Sequence, residues 1–242
     1  MNARSMDGIL CVDKPPKTSS QQAVTRVKRA LGVGKAGHAG TLDPDATGVL
    51  LVCLGRATRL FDALQAHDKE YIASVTLGES TDTYDASGRV TMRSEVPDFS
   101  RAELEAVLDR FRGEIEQVPP MFSALKRQGT PLYALARRGQ VVERAPRRVT
   151  VHALDLLEAS AAELRVRVVC SKGTYVRSLV HDLGQALACG AHLAALVRTR
   201  SGPFRLDDAV PLVEVETHPR DAARRIVPLE RFLQNPPEAE HR

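Results

Sequence analysis

KAGHAGTLDPDATGVL, residues 35–50, places Asp43 between an apolar Leu42 and a rigid Pro44, in a glycine-rich segment that runs straight into an apolar stretch. Residues 32–48 hold five glycines with Asp43, Pro44 and Asp45, and neither a helical nor a strand period survives there. A long irregular loop is therefore expected, and such loops between well-patterned elements usually carry function. Glycine permits the turn, proline stiffens it, and a buried strand at 49–54 anchors it, which would present a carboxylate firmly in a cleft. Asp before Pro is also a common turn opener, so local chemistry alone leaves Asp43 evenly placed between a catalytic group and a turn cap.

Outward from this loop, residues 8–12 read as a strand. Ser19 or Ser20 can cap a helix through Leu31 whose Ala23, Val24, Val27 and Leu31 share one face. Downstream, 57–64 reads as a short helix, 70–77 as an alternating strand, and TDTYDASG at 81–88 as a polar turn. Ser100 with Glu103 is a capping-box signature for a helix ending near Phe111 and closed by Gly113, and a short helix at 131–138 stops at Gly139. Strands are expected at 149–157, 164–170 and 192–198, with a helix at 175–187. In the second strand Leu164, Val166, Val168 and Cys170 make a core face, and Arg165 and Arg167 point away. Strands outnumber helices without a regular βαβ rhythm, so the fold class is α+β with a mixed or antiparallel sheet. One domain is expected over 1–235, with a disordered polar tail at 236–242.

With 242 residues, 43% hydrophobic and 26% charged, the chain can bury a core without disulfide or metal staples. Cys11, Cys53, Cys170 and Cys189 are widely spaced in apolar or helical stretches and read as reduced, buried thiols. No metal is expected, because no CxxC pair occurs and the seven histidines are scattered. The longest apolar run, 49–54, is far too short to span a bilayer, and the N-terminus lacks a signal-peptide pattern, so a cytoplasmic protein is expected. The 34 Lys and Arg against 30 Asp and Glu, net +4, favour a polyanionic partner without naming one.

HAGTLDPDATGVL (38–50) resembles the catalytic motif of the B-type tRNA pseudouridine synthases. So do, in the family's order, DKPPKTSS (13–20), KEY (69–71), TDTYDASGRV (81–90), QVPPMFSALKRQGTPLYALARRG (117–139), CSKGTYVRSLVHDLG (170–184) and LVRTRSGPF (196–204). The resemblance implies a pseudouridine synthase catalytic fold, built on a mixed, largely antiparallel sheet with an RNA-binding insertion, acting on a T-loop uridine of tRNA without a cofactor. It makes Asp43 the essential carboxylate and Arg177 the arginine that pairs with it. Tyr71 becomes the tyrosine that stacks on the target base, and His38 the histidine that fills the gap left by the flipped uridine. Lys14 is placed near the cleft and Leu196 along the uracil pocket.

If the partner is RNA, three basic clusters become phosphate contacts: Arg137 with Arg138; Arg144 with Arg147 and Arg148; and Arg198 with Arg200 and Arg205. Their bland reading is solvated surface. The sequence departs from the family pattern at Lys17 and Ser19, where glycine and threonine are usual, and at Phe122, often tyrosine. Many members continue into a PUA-type RNA-binding domain, whereas this chain stops shortly after PLERFL (228–233), so weaker tRNA binding is expected. A monomer is expected separately. Three rival readings remain: a tRNA-folding chaperone with secondary catalysis, an RNA-guided relative, and an aspartyl glycosidase using Asp45 as a second acid.

Overall fold

A computed structural model of the chain describes residues 6–123, 125–127 and 129–234; the tail expected at 236–242 lies outside them. The chain forms two compact units, Met1–Tyr71 with Leu196–Arg242, and Ile72–Ala195. Among the described residues no helix is long and apolar enough to cross a membrane.

The first unit opens with β1 (Gly8–Lys14), α1 (Ser20–Leu31), β2 (Ala36–Ala39) and β3 (Thr47–Leu54). A 3₁₀ turn at Gly55–Leu60 leads into α2 (Phe61–Ala66), and β4 (Lys69–Leu77) begins here. The sequence left two candidates for the α1 cap, and it is Ser19. Its hydroxyl accepts from the Gln22 amide while Gln22 Oε1 accepts from the Ser19 amide, which completes a capping box. Gly32, at φ +65, ends the helix.

β3 pairs antiparallel with β1 from Leu54↔Gly8 to Gly48↔Lys14, and its other edge takes β2 from Ala36↔Leu54 to Ala39↔Leu51. The irregular stretch expected at 32–48 is therefore shorter than the composition suggested. AGHA carries no alternation of its own and becomes a strand because the long β3 edge pairs with it. Leu10, Val12, Leu50, Val52 and Leu54 pack with Ala23, Val24, Val27 and Leu31 of α1, whereas Ile9, Cys11, Val49, Leu51 and Cys53 pack with Leu60 and Leu64 on the opposite face. Burial on both faces explains the unbroken apolar run of β3. Val24, Val27 and Leu31 each contribute about 1.5–3 kcal/mol of burial to seating α1.

The second unit contains α3 (Arg101–Asp109), β5 (Gly113–Gln117), β6 (Arg147–Ala159), β7 (Glu163–Cys170), α4 (Val176–Ala186) and the start of β8 (Ala191–Ser201). β6 pairs antiparallel with both β5 and β7. The alternation in β7 is realised: Leu164, Val166, Val168 and Cys170 are buried, and Arg165 and Arg167 reach across to Glu158 (2.9 Å) and Asp155 (2.7 Å) on β6. The α3 capping box forms between Ser100 and Glu103. A short hairpin, Glu79–Thr81 with Val90–Arg93, brackets the polar turn.

The chain returns to the first unit along β8, which pairs parallel with β3 at Val197↔Thr47 and Arg198↔Gly48. Val210–Pro211 then pairs parallel with β1 and Val227–Pro228 antiparallel. Helices Leu212–Thr217, Pro219–Arg224 and Leu229–Gln234, absent from the sequence reading, complete this unit. A mixed sheet in one unit and antiparallel pairing in the other agree with the expected α+β class.

Candidate active site

The loop between β2 and β3 is bracketed by Gly40 at φ +89 and Gly48 at φ +95. A Cβ at Gly48 would lie 2.3 Å from the backbone oxygen of Arg198, so close approach to β8 as well as the left-handed turn requires glycine there. Asp43 is half-buried at the tip, and its carbonyl accepts from the Ala46 amide (3.2 Å). The Ser20 hydroxyl donates to the Leu42 carbonyl (2.9 Å) and accepts from the Leu42 amide (2.9 Å), in a buried site immediately before Asp43. On the other side, the Pro44 carbonyl accepts from the Thr18 amide (3.2 Å).

Two buried cations complete the support. Lys14 is 0% exposed, and its ammonium donates to the carbonyls of Pro15 (3.0 Å), Thr18 (2.7 Å) and Pro44 (2.9 Å). The resemblance placed Lys14 near the cleft; here its three donors go to backbone carbonyls, so it anchors the loop that carries Asp43. Burial pulls its pKa down to about 8, against the opposing pull of Asp45 and Asp43. Arg198 is 1% exposed. Its guanidinium donates to the carbonyls of Val49 (2.6 Å), Gly40 (3.2 Å) and Thr41 (3.5 Å). The sequence reading of Arg198 as a phosphate contact is thus corrected: the guanidinium is turned inward, where the loop carbonyls take its donors.

His38 projects from β2, where it pairs with Val52. Its Nδ1 is buried without a hydrogen-bond partner; burial lowers its pKa, the Arg198 charge pushes the same way, and the Gly40 backbone opposes them. Tyr71 lies on the buried side of β4. Leu196 is half-buried, two residues before Arg198 and so on the same side of β8.

In the second unit, Arg177 sits in the first turn of α4 and is 5% exposed. It donates to the carbonyls of Thr83 (3.1 Å) and Phe122 (2.8 Å), with Asp85 at 3.5 Å. The Phe122 contact is through backbone, so the missing tyrosine hydroxyl does not affect it. Asp85 is fixed in turn by the Thr83 hydroxyl (2.7 Å), the Ser87 amide (3.0 Å) and the Ser87 hydroxyl (2.6 Å). One helical turn on, His181 stacks on Tyr84, with centroids 3.9 Å apart and planes 11° from parallel. The Gln117 side chain clamps the backbone of Tyr175 through its amide (2.8 Å) and carbonyl (3.1 Å), setting the start of α4.

The structure therefore brings Lys14, His38 and Arg198 around the loop that carries Asp43, within the unit that also holds Tyr71 and Leu196, and places Arg177 on α4 of the other unit. Sequence reasoning missed Ser20, Asp85 and the inward face of Arg198. The Asp85 signal was present in TDTYDASG, whose hydroxyls two residues either side suit a carboxylate cage. It also missed a cavity of about 290 Å³ lined by Lys35, Arg56, Thr58, Arg59 and Phe61. Arg56, Lys35 and Arg59 are all exposed, and Arg56 is already engaged by Asp7 (2.6 Å), which leaves Lys35 and Arg59 as the cavity's cations without an ion pair among the described residues. Among the described residues no group of three or more His, Cys, Asp or Glu side chains could hold a metal.

Comparison with known proteins gives two adjoining family matches. The N-terminal domain profile of the TruB family of pseudouridylate synthases matches residues 28–176, and the C-terminal domain profile of tRNA pseudouridylate synthase B matches 177–234. The chain is 50% identical over 221 residues to the tRNA pseudouridine synthase B of Bordetella avium, covering 90% of this chain and 91% of that protein. It is 49% identical to the Chromohalobacter salexigens protein of the same name, covering 97% and 77%. Among solved structures, a Cbf5-Nop10-Gar1 complex superposes with a TM-score of 0.72 at 32% identity, covering 94% of this chain and 62% of that one. An H/ACA RNP bound to a substrate RNA containing 2′-deoxyuridine gives 0.69 at 30% identity, covering 93% and 59%. The chain thus spans less than two thirds of those two solved chains.

Proposed function

The chain belongs to the TruB family of pseudouridylate synthases, and from that premise we propose that it converts a T-loop uridine of tRNA into pseudouridine, with Asp43 as the reacting carboxylate. The observation that carries this reading is the loop itself: a half-buried aspartate whose flanking backbone is fixed by Ser20, Lys14 and Arg198. The reaction breaks the C1′–N1 bond and joins C1′ to C5; C5 loses its hydrogen as a proton and N1 gains one. Composition is unchanged, so the chemistry needs neither an electron acceptor nor an activated donor.

The carboxylate would add to C6 of the base or C1′ of the sugar, or stabilise positive charge developing at the sugar. Each of these roles demands a fixed, ionised group, and rigid tethering supplies the positioning. Arg177 is proposed as the cation for that carboxylate and Tyr71 as the platform for the base. His38 would fill the vacancy in the RNA stack, lowering the few kcal/mol that extrusion costs, and Leu196 would line the uracil pocket. Lys35 and Arg59, with the exposed arginines at 137 and 138, would hold phosphates of the T-arm, positioning it without reading its sequence. The protein would act on tRNA in the cytoplasm as a monomer.

The test is incubation with an unmodified tRNA transcript, with pseudouridine mapped by carbodiimide primer extension and Asp43→Asn run alongside. A stop at the T-loop uridine with wild type alone supports the reading. Binding without conversion by either protein would instead identify a tRNA-folding chaperone.

A further inference from the structure

We infer that Arg198 is a positioning residue for Asp43, closing both ends of the catalytic loop with one guanidinium. This rests on the proposed function. The side chain reaches Gly40 and Thr41 where the loop leaves β2, and Val49 where it has entered β3, so a single rigid fork spans the base of the loop. Its own backbone fixes the same place, through the pairing of Arg198 with Gly48 and the close approach that excludes a Cβ there.

A structural filler does not account for the choice of arginine. The hydrogen bonds that Arg198 donates run to backbone carbonyls, yet it is one of the most completely buried large side chains among the described residues. A buried charge with only carbonyl partners carries a large desolvation cost that an apolar residue would avoid. The charge is felt by the surrounding groups: it lowers the proton affinity of both His38 and Lys14, the latter also facing Asp43, Asp45 and Asp13. The fork fixes the backbone at both ends of the loop and so fixes where the Asp43 carboxylate stands.

The experiment compares wild type, Arg198→Lys and Arg198→Gln in single-turnover pseudouridine formation at saturating T-arm RNA. RNA affinity is measured by filter binding across salt, and folding by near-ultraviolet circular dichroism and melting. Arg198→Gln is expected to lose about 100-fold or more in rate with RNA affinity within twofold of wild type, the scale of an ångström-sized misplacement. Arg198→Lys, retaining charge but not the fork, should fall between them. A lowered melting temperature with an unchanged rate at saturation would overturn the inference, leaving a purely structural arginine. Weakened RNA binding with a shallower salt dependence and an intact rate would also overturn it, restoring a phosphate contact. Should Arg198→Gln fail to fold, the rate and affinity of Arg198→Lys decide between the same outcomes. Wild-type inactivity would count against the proposed function rather than against this role.

Discussion

Ser19 and Ser20 are neighbours with separate tasks, and replacing each by alanine separates loop support from helix capping. Ser20→Ala removes the one side chain that satisfies both the amide and the carbonyl of Leu42, in a place where Ser20 is 2% and Leu42 4% exposed. An unsatisfied buried polar group costs about 1–3 kcal/mol, so two give roughly 2–6 kcal/mol. Ser19→Ala removes an N-cap worth about 1 kcal/mol and touches no group of the loop. Equilibrium urea unfolding measures the first difference, and single-turnover pseudouridine formation at saturating tRNA the second. Ser20→Ala should lose 10- to 100-fold in rate because Leu42 is bonded directly to Asp43, whereas Ser19→Ala should match wild type. The reasoning is refuted if the two variants have equal rates, or if Ser20→Ala costs less than Ser19→Ala.

Lys14, with its pKa lowered from 10.5 to about 8, should give an alkaline limb in the rate near pH 8 as the loop loses a donor, and Lys14→Met should be slow and flat there. Between the folded and unfolded pKa values the unfolded chain binds more protons, so this group adds stability as pH rises, and the limb must appear without a fall in melting temperature caused by it. Lys17 holds the left-handed conformation (φ +56) that glycine usually supplies in this motif. Lys17→Gly should stabilise the protein by about 1 kcal/mol in urea unfolding. Lys35→Ala with Arg59→Ala should weaken tRNA binding and lower the slope of affinity against salt by about one and a half, leaving the rate at saturation unchanged.

The elements that the sequence announced were those with a strong local period: α1 and α3 with their capping boxes, the buried run of β3, and the alternation of β7. What it concealed depends on tertiary partners. AGHA becomes β2 because β3 offers an edge, and the short terminal helices are held by burial of Leu212, Val215, Leu229 and Phe232 rather than by their own length. The motif located Asp43, but the direction of polar side chains near it could not be read from spacing. Arg198, Arg200 and Arg205 look like one basic cluster in sequence, yet Arg198 points inward while Arg205 is exposed. Ser20 likewise read as a cap candidate, and Lys14 only as a residue near the cleft, until the loop folds over them.

The most direct test of the account is release of the C5 hydrogen, which isomerisation must discharge and no binding event can. Transcript labelled with tritium at C5 of the T-loop uridine should release one equivalent of tritium to water with wild-type protein, and none with Asp43→Asn although that variant still binds the RNA. Release by Asp43→Asn at the wild-type rate would contradict the central role of this aspartate, and wild type that binds without release would contradict the activity itself.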